Sequence, residues 1–154
     1  MSIIVERLGI DKADIVLEMV LALLKELGEE GDDLGPLDRA RVLAGWEKKG
    51  EAFQALVARE AGGAPVGIAT VVESFAIYAN GTHGVINEMY VVPSHRSAGV
   101  GRLLIRAARE MGRERGWKRI EVTAPESPRW ARTRAFYERE GFTFAGPKLK
   151  LPLP

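Results

Sequence analysis

The stretch Asn87-Glu88-Met89-Tyr90-Val91-Val92-Pro93-Ser94-His95-Arg96-Ser97-Ala98-Gly99-Val100-Gly101-Arg102 carries most of the information in this chain. Its first part, Val85 to Val92, has the β-branched and apolar character of a strand, and Pro93 stops the ladder. A short turn follows, and a helix begins within Arg96-x-x-Gly99-x-Gly101. Glycines let a loop backbone approach a ligand closely and turn sharply into a helix. The first N–H groups of that helix have no partners inside it and lie at the positive end of its dipole, which suits a phosphate or pyrophosphate. A P-loop would need Gly-Lys-Ser/Thr, but Gly101 precedes Arg102 and Leu103. A dinucleotide-binding turn would need a third glycine where Leu104 stands. Taken alone, the hexapeptide fits a helix-packing turn equally well.

The flanking elements narrow the choice. Ser2 to Leu8 reads as a strand. Asp11 is the expected N-cap of a helix whose apolar positions, from Ala13 to Leu27, recur at helical spacing. Gly28 to Gly35 reads as an acidic loop. Pro36 then opens a second helix with Val42, Leu43 and Trp46 inward. Strands are expected over Phe53–Arg59 and Pro65–Tyr78, with Asn80-Gly81 as the hairpin signal before the next strand. From Val100 to near Gly116 an amphipathic helix carries Leu103, Leu104, Ala107, Ala108 and Met111 on one face. Arg102, Arg106, Arg109 and Arg113 form the opposite, solvated face. Lys118–Thr123 (strand), Arg129–Glu140 (helix) and Phe142–Ala145 (strand) follow, with a last strand expected within Lys148–Leu153. The order β-α-α-β-β-β-α-β-α-β-(β) predicts an α+β fold, a mixed α/β sandwich around one mostly antiparallel central sheet flanked by helices. No repeat or linker divides residues 1–154, so one domain is expected.

Composition removes several function classes. Among 154 residues there is no cysteine, which excludes a disulfide scaffold, a thiolate metal site and a cysteine nucleophile. The two histidines, His83 and His95, are too few for an imidazole metal site and read as surface residues; no metal is expected. A net charge of +1 gives no argument for nucleic acid. No apolar run approaches the roughly 20 residues that span a bilayer, and Glu6 and Arg7 interrupt the N-terminal apolar run, so no membrane or signal segment is expected. A cytoplasmic location is the resulting expectation.

At two places the chain resembles the GNAT N-acetyltransferases. Arg96-Ser97-Ala98-Gly99-Val100-Gly101, preceded by Met89-Tyr90-Val91-Val92-Pro93, is similar to that family's Arg/Gln-x-x-Gly-x-Gly/Ala after Leu-x-Val-x-Pro. Downstream, Phe136-Tyr137-Glu138-Arg139-Glu140-Gly141-Phe142 is similar to its Phe/Leu-Tyr-Glu-x-x-Gly-Phe, with one strand between the motifs as in the family. The resemblance implies a GNAT fold and transfer of acetyl from acetyl-CoA, a co-substrate, to a primary amine in a ternary complex. It implies that the backbone of Ser97, Ala98, Gly99, Val100, Gly101 and Arg102 holds the pyrophosphate of coenzyme A, with the Arg96 and Arg102 side chains as added positive charge. Met89, Tyr90 and Val91 would pair with the pantetheine arm, and the Met89 amide would polarise the thioester carbonyl, a role typically worth roughly 3–4 kcal/mol.

It also implies that Tyr137 donates a proton to the leaving thiolate. A thiol of pKa about 8.5 leaves reasonably well unaided, so the acid is expected to help but not to be indispensable. Its plainer reading is a core aromatic beside Phe136. An amine of pKa about 10 must lose a proton before attack, and Glu88 is the candidate base or substrate anchor; otherwise it is a solvent-facing or salt-bridged carboxylate. Alternation assigns either Glu88 or Asn87 to the site, and a bulge would reverse the choice. One departure from the family is Trp130, which stands where an asparagine commonly contacts the pantetheine arm. Ser97-Ala98 also replaces the usual Gly-Lys. The acceptor is expected to be a small-molecule or a protein or peptide amine. The cluster Glu26, Glu29, Glu30, Asp32 and Asp33 is either an attraction for a cationic amine or a solvated loop. The alternative function is a catalytically silent acyl-CoA-binding or regulatory domain. A homodimer is expected only by analogy with the fold.

Overall fold

A computed structural model describes residues 2–28, 36–124, 127–146 and 148–154. Five strands form one sheet in the order β1-β2-β3-β4-β5: β1 (Ile3–Leu8), β2 (Phe53–Glu60), β3 (Pro65–Ala76), β4 (Gly81–Val91) and β5 (Ile120–Val122). Neighbours from β1 to β4 run antiparallel, and β5 joins β4 in parallel. The fold is therefore α+β, as the element order predicts.

The helices are α1 (Ala13–Leu27), α2 (Arg39–Lys49), α3 (Val100–Arg115) and α4 (Ala131–Arg139). Strand alternation divides the sheet's side chains between two cores. On one face Ala55, Val57 and Ile68 pack against Val16 and Met19 of α1, with Trp46 of α2 at the edge. On the other, Leu56, Ala58, Ala69, Val71 and Ile86 meet Val100, Leu104, Ala108 and Met111 of α3 and Tyr137 of α4. Fully burying one such leucine or isoleucine stabilises by roughly 2 kcal/mol, so α3, buried along a whole stripe, is firmly fixed. Its tight approach needs a glycine opposite: a Cβ on Gly67 would lie 2.8 Å from Val100 Cγ1.

Several element ends differ from the sequence expectation. Asp11 does not cap α1: Ile10–Lys12 form a 3₁₀ turn, and the helix begins without a side-chain cap. Helix α2 is opened by Asp38, whose carboxylate accepts from the Arg41 N–H at 3.1 Å, and not by Pro36. In the β3–β4 hairpin Ala76 pairs with Gly81, so the loop is Ile77 to Asn80, with Asn80 at φ 64°. The strand expected over Phe142–Ala145 is absent, as is one over Lys148–Leu153: both stretches are irregular. Phe142 is held inward by its N–H to the Tyr137 carbonyl (3.0 Å), but Phe144, Leu149, Leu151 and Leu153 are exposed. Of the acidic cluster, Glu29, Glu30, Asp32 and Asp33 lie outside the described residues. No described helix is long and apolar enough to cross a membrane.

Candidate active site

The site is built where β4 and β5 part. Their parallel pairing ends at Ile86↔Val122, while β4 continues to Val91 along β3. The Val92 N–H donates to the Val66 carbonyl at 2.9 Å, which fixes the alternation of the ladder. Tyr90 therefore directs its main-chain groups at β3, opposite Ile68. Met89 and Val91 direct theirs to the other edge, where β5 has ended. This corrects part of the sequence expectation: Met89 and Val91 can offer main-chain groups to an extended ligand, but Tyr90 can contribute only its ring. The Val91 carbonyl already accepts from Arg96 Nε at 2.9 Å.

A bulge answers the question of parity. Thr70 pairs with Glu88, and Val71 pairs with Ile86, leaving Asn87 as the extra residue on β4. A bulge re-aims the side chains beyond it. Ile86 consequently joins the α3 core, whereas Glu88 turns to the α1 face along with Tyr90, and Asn87 is exposed. The Thr70 hydroxyl donates to Glu88 Oε1 and accepts from the Glu88 N–H at 3.1 Å.

Beyond β4, a 3₁₀ turn at Pro93–His95 leads to Ser97 (φ 65°) and Gly99 (φ 85°), both left-handed, and α3 starts at Val100. No side chain caps this helix, and its first internal bond is from the Leu103 N–H to the Gly99 carbonyl at 3.2 Å. The amides that precede Leu103 thus face outward from a concave turn, the arrangement that binds anions. A Cβ on Gly99 would meet nothing within 4 Å, so that glycine serves conformation and open approach. Gly101 has a different duty. A Cβ there would lie 2.9 Å from Phe136 Cζ, so the second glycine of the first motif makes room for the aromatic of the second.

Tyr137 lies in the α3-side core, its ring 5.4 Å from Phe136 and 5.6 Å from Phe142. It lines an open cleft together with Ile86, Val122, Thr123 and Ala124, beside the point where the strands diverge. Burial alone pushes its phenol from 10 up to about 12.

Charged side chains around the gap depart from expectation. Arg96 does not point at the α3 turn. Its guanidinium makes paired bonds of 2.7 Å to both oxygens of Glu26, which holds its charge above the ordinary arginine value. Glu26 is in the last turn of α1, not in a solvated loop, and its main-chain carbonyl accepts from Arg129 at 2.7 Å. Arg129 stacks on Trp130, 4.8 Å from the ring centroid. One residue at the C-terminus of α1 is therefore tied to the loop after β4 and to the loop before α4. Arg102 binds Glu140 at 3.2 Å and remains mostly exposed. His83 is buried, contrary to its surface reading, with Nε2 3.6 Å from a Glu121 oxygen. His95 is half-buried, 2.6 Å from Glu60 and 2.9 Å from Ser94 Oγ. Sequence reasoning missed Thr70 and the role of Glu26. Thr70 left a signal, being the sole hydroxyl in the run Val66–Val72. Glu26 left none beyond its charge. Among the described residues no cluster of three or more acidic, histidine or cysteine side chains could hold a metal ion.

Comparison with known proteins bears on the family and the fold. The family model described as an acetyltransferase (GNAT) domain matches residues 51–144. Comparison with curated proteins gives no match. Among solved structures, an aminoglycoside acetyltransferase from an uncultured soil metagenomic sample is similar at TM-score 0.79 and 24% identity, covering 100% of both chains. The ribosomal-protein-alanine N-acetyltransferase of Brucella melitensis biovar Abortus 2308 has TM-score 0.76 and 19% identity, over 99% of this chain and 100% of its own. An acetyltransferase of Trypanosoma brucei has TM-score 0.72 and 24% identity, over 99% and 100%. At these identities the structures establish the fold, and the family model, which spans more than half of the sequence, establishes the lineage. The chain belongs to the GNAT acetyltransferase family.

Proposed function

We propose that the 154 residues act as one N-acetyltransferase unit that transfers acetyl from acetyl-CoA to a primary amine by direct attack in a ternary complex. The observation that carries this reading is the uncapped start of α3 behind left-handed Ser97 and Gly99, next to the freed edge of β4. The amides of Ser97 to Arg102 would take the diphosphate, and Met89 and Val91 would flank the pantetheine arm. The Arg96 side chain acts indirectly, by anchoring the strand end to Glu26.

In the reaction the amine nitrogen attacks the thioester carbon, the carbonyl oxygen gains charge, and the C–S bond then breaks. The Met89 N–H, aimed away from β3, is the donor assigned to the developing oxyanion. Before the attack Glu88 takes one proton from the substrate ammonium, directly or through water, and the second leaves the nitrogen as the thiolate departs, ending on the thiol or in solvent. Tyr137 supplies a hydrogen bond to the departing sulfur. A phenol raised to about 12 is a weaker acid than a thiol of about 8.5, so it stabilises the thiolate chiefly as a donor, with full transfer uphill. Acceptors of both small-molecule and protein type are supported by the range of similar acetyltransferases, one named for aminoglycosides and another for a ribosomal-protein alanine.

The test is thiol release from acetyl-CoA across a panel of amines. Tyr137→Phe is expected to lower kcat by roughly ten- to a hundredfold with little change in the KM for acetyl-CoA. Glu88→Gln is expected to remove the acid-side fall of the pH–rate profile. Tight coenzyme A binding with no turnover on any amine would favour the silent acyl-CoA-binding domain instead. Wild-type turnover in both variants would refute the assigned roles.

A further inference from the structure

Thr70 is almost fully buried (1% exposed) in the apolar run of β3, yet its hydroxyl points at no backbone group of its own strand. A hydroxyl has a single proton, and here that proton goes to Glu88 Oε1 across the strands, while a lone pair takes the Glu88 N–H. The two bonds close a small ring that fixes both the main chain and the carboxylate of one residue. They do so where regular pairing fails, because Asn87 is extruded immediately before Glu88. A carboxylate next to a bulge has lost the strand geometry that would otherwise orient it. Buried in an apolar run, the hydroxyl finds its acceptor in the Glu88 carboxylate.

We propose that Thr70 is a positioning residue for the acetyl acceptor. It holds the Glu88 carboxylate in one orientation, with Oε1 engaged and Oε2 left for the incoming amine. The proposal rests on Glu88 acting as base or anchor, and the experiment separates the failure of one from the failure of the other. Without the hydroxyl, Glu88 would be free to swing away and would face the amine in several orientations.

The measurement is kcat/KM for the amine as a function of pH, with coenzyme A binding measured calorimetrically, for wild type, Thr70→Val, Thr70→Ser and Glu88→Gln. Thr70→Val is expected to lower kcat/KM for the amine by roughly ten- to a hundredfold, the usual worth of a hydrogen bond to a charged group. The loss is expected in kcat for the amine, with the KM for acetyl-CoA and the affinity for coenzyme A unchanged. Thr70→Ser keeps the hydroxyl and is expected to stay within a few-fold of wild type. Thr70→Ala carries the valine prediction if the valine variant does not fold. A valine or alanine variant that keeps wild-type kcat for the amine, or one losing amine turnover and coenzyme A binding in parallel, would make Thr70 a packing residue only and overturn the proposal. An unchanged profile in Glu88→Gln would instead overturn the reading of Glu88 on which it rests.

Discussion

At the scale of single residues, the burial of Tyr137 bears on stability and on the donor role proposed for it. Burial among Phe136, Phe142 and the α3 core disfavours its ionised form, raising the phenol from 10 to about 12. In the unfolded chain the phenol ionises near 10, so the sign follows directly. Below pH 10 both states are protonated and the native state keeps its full stability. Between 10 and about 12 only the unfolded state releases the proton, and stability falls. Two pKa units correspond to roughly 3 kcal/mol. Denaturant titrations at pH 9 and pH 11.5 are expected to show about 2 kcal/mol of this loss in the wild type and a markedly smaller one in Tyr137→Phe. Equal losses in both would mean that another group governs alkaline unfolding. The same burial keeps the phenol protonated throughout the physiological range, which a hydrogen-bond donor to sulfur requires.

At the scale of elements, the two motifs are parts of one packing unit. Gly101 lets the start of α3 lie against Phe136 of α4, and the neighbouring Tyr137 is thereby set at the strand gap. Gly101→Ala would force its Cβ to 2.9 Å from Phe136 Cζ, and overpacking of this kind costs roughly 1–3 kcal/mol. The expected outcome is a lowered urea midpoint, partly recovered in the double variant with Phe136→Leu. A midpoint that stays put while coenzyme A affinity collapses would show that Gly101 serves ligand approach alone. The turn and helix around Gly99 and Val100 were legible in the sequence because they depend on local rules: a proline stop, φ-permissive residues and a helical stripe. The direction of Glu88 was not legible, because it depends on a bulge that only pairing with Thr70 defines. Nor was the engagement of Arg96, whose partner Glu26 is distant in sequence and reaches it only through the docking of α1. A strand is expected over Phe142–Ala145, yet β5 spans only Ile120–Val122 and that stretch pairs with no strand. Local pattern proposes a strand; a neighbouring edge must accept it.

At the scale of the molecule, β4 is paired along its length on the β3 side and only over Gly84–Ile86 on the β5 side. Strands β1 to β3 back β4 with an antiparallel ladder, so the edge of Met89 and Val91 beyond the end of β5 is held with no strand paired to it. The ties from Glu26 to Arg96 and Arg129 link α1 to the loops on both sides of that opening. A ligand that fills the gap binds the native state alone, and binding should therefore register in global stability. For a ligand that binds only the native state, a hundredfold excess over its Kd adds about 2.7 kcal/mol. In a chain of this size 1 kcal/mol corresponds to roughly 2–4 °C, so acetyl-CoA is expected to raise Tm by about 5–10 °C. The increase should diminish with added salt if diphosphate contacts at the α3 start supply much of the affinity. Desulfo-coenzyme A, which keeps the diphosphate and most of the pantetheine, should give most of the shift, whereas pantetheine alone should give little. A Tm that none of these ligands moves at millimolar concentration would mean that the open edge and the uncapped helix do not form an acyl-CoA site, and the transfer chemistry assigned to Glu88 and Tyr137 would lose its footing.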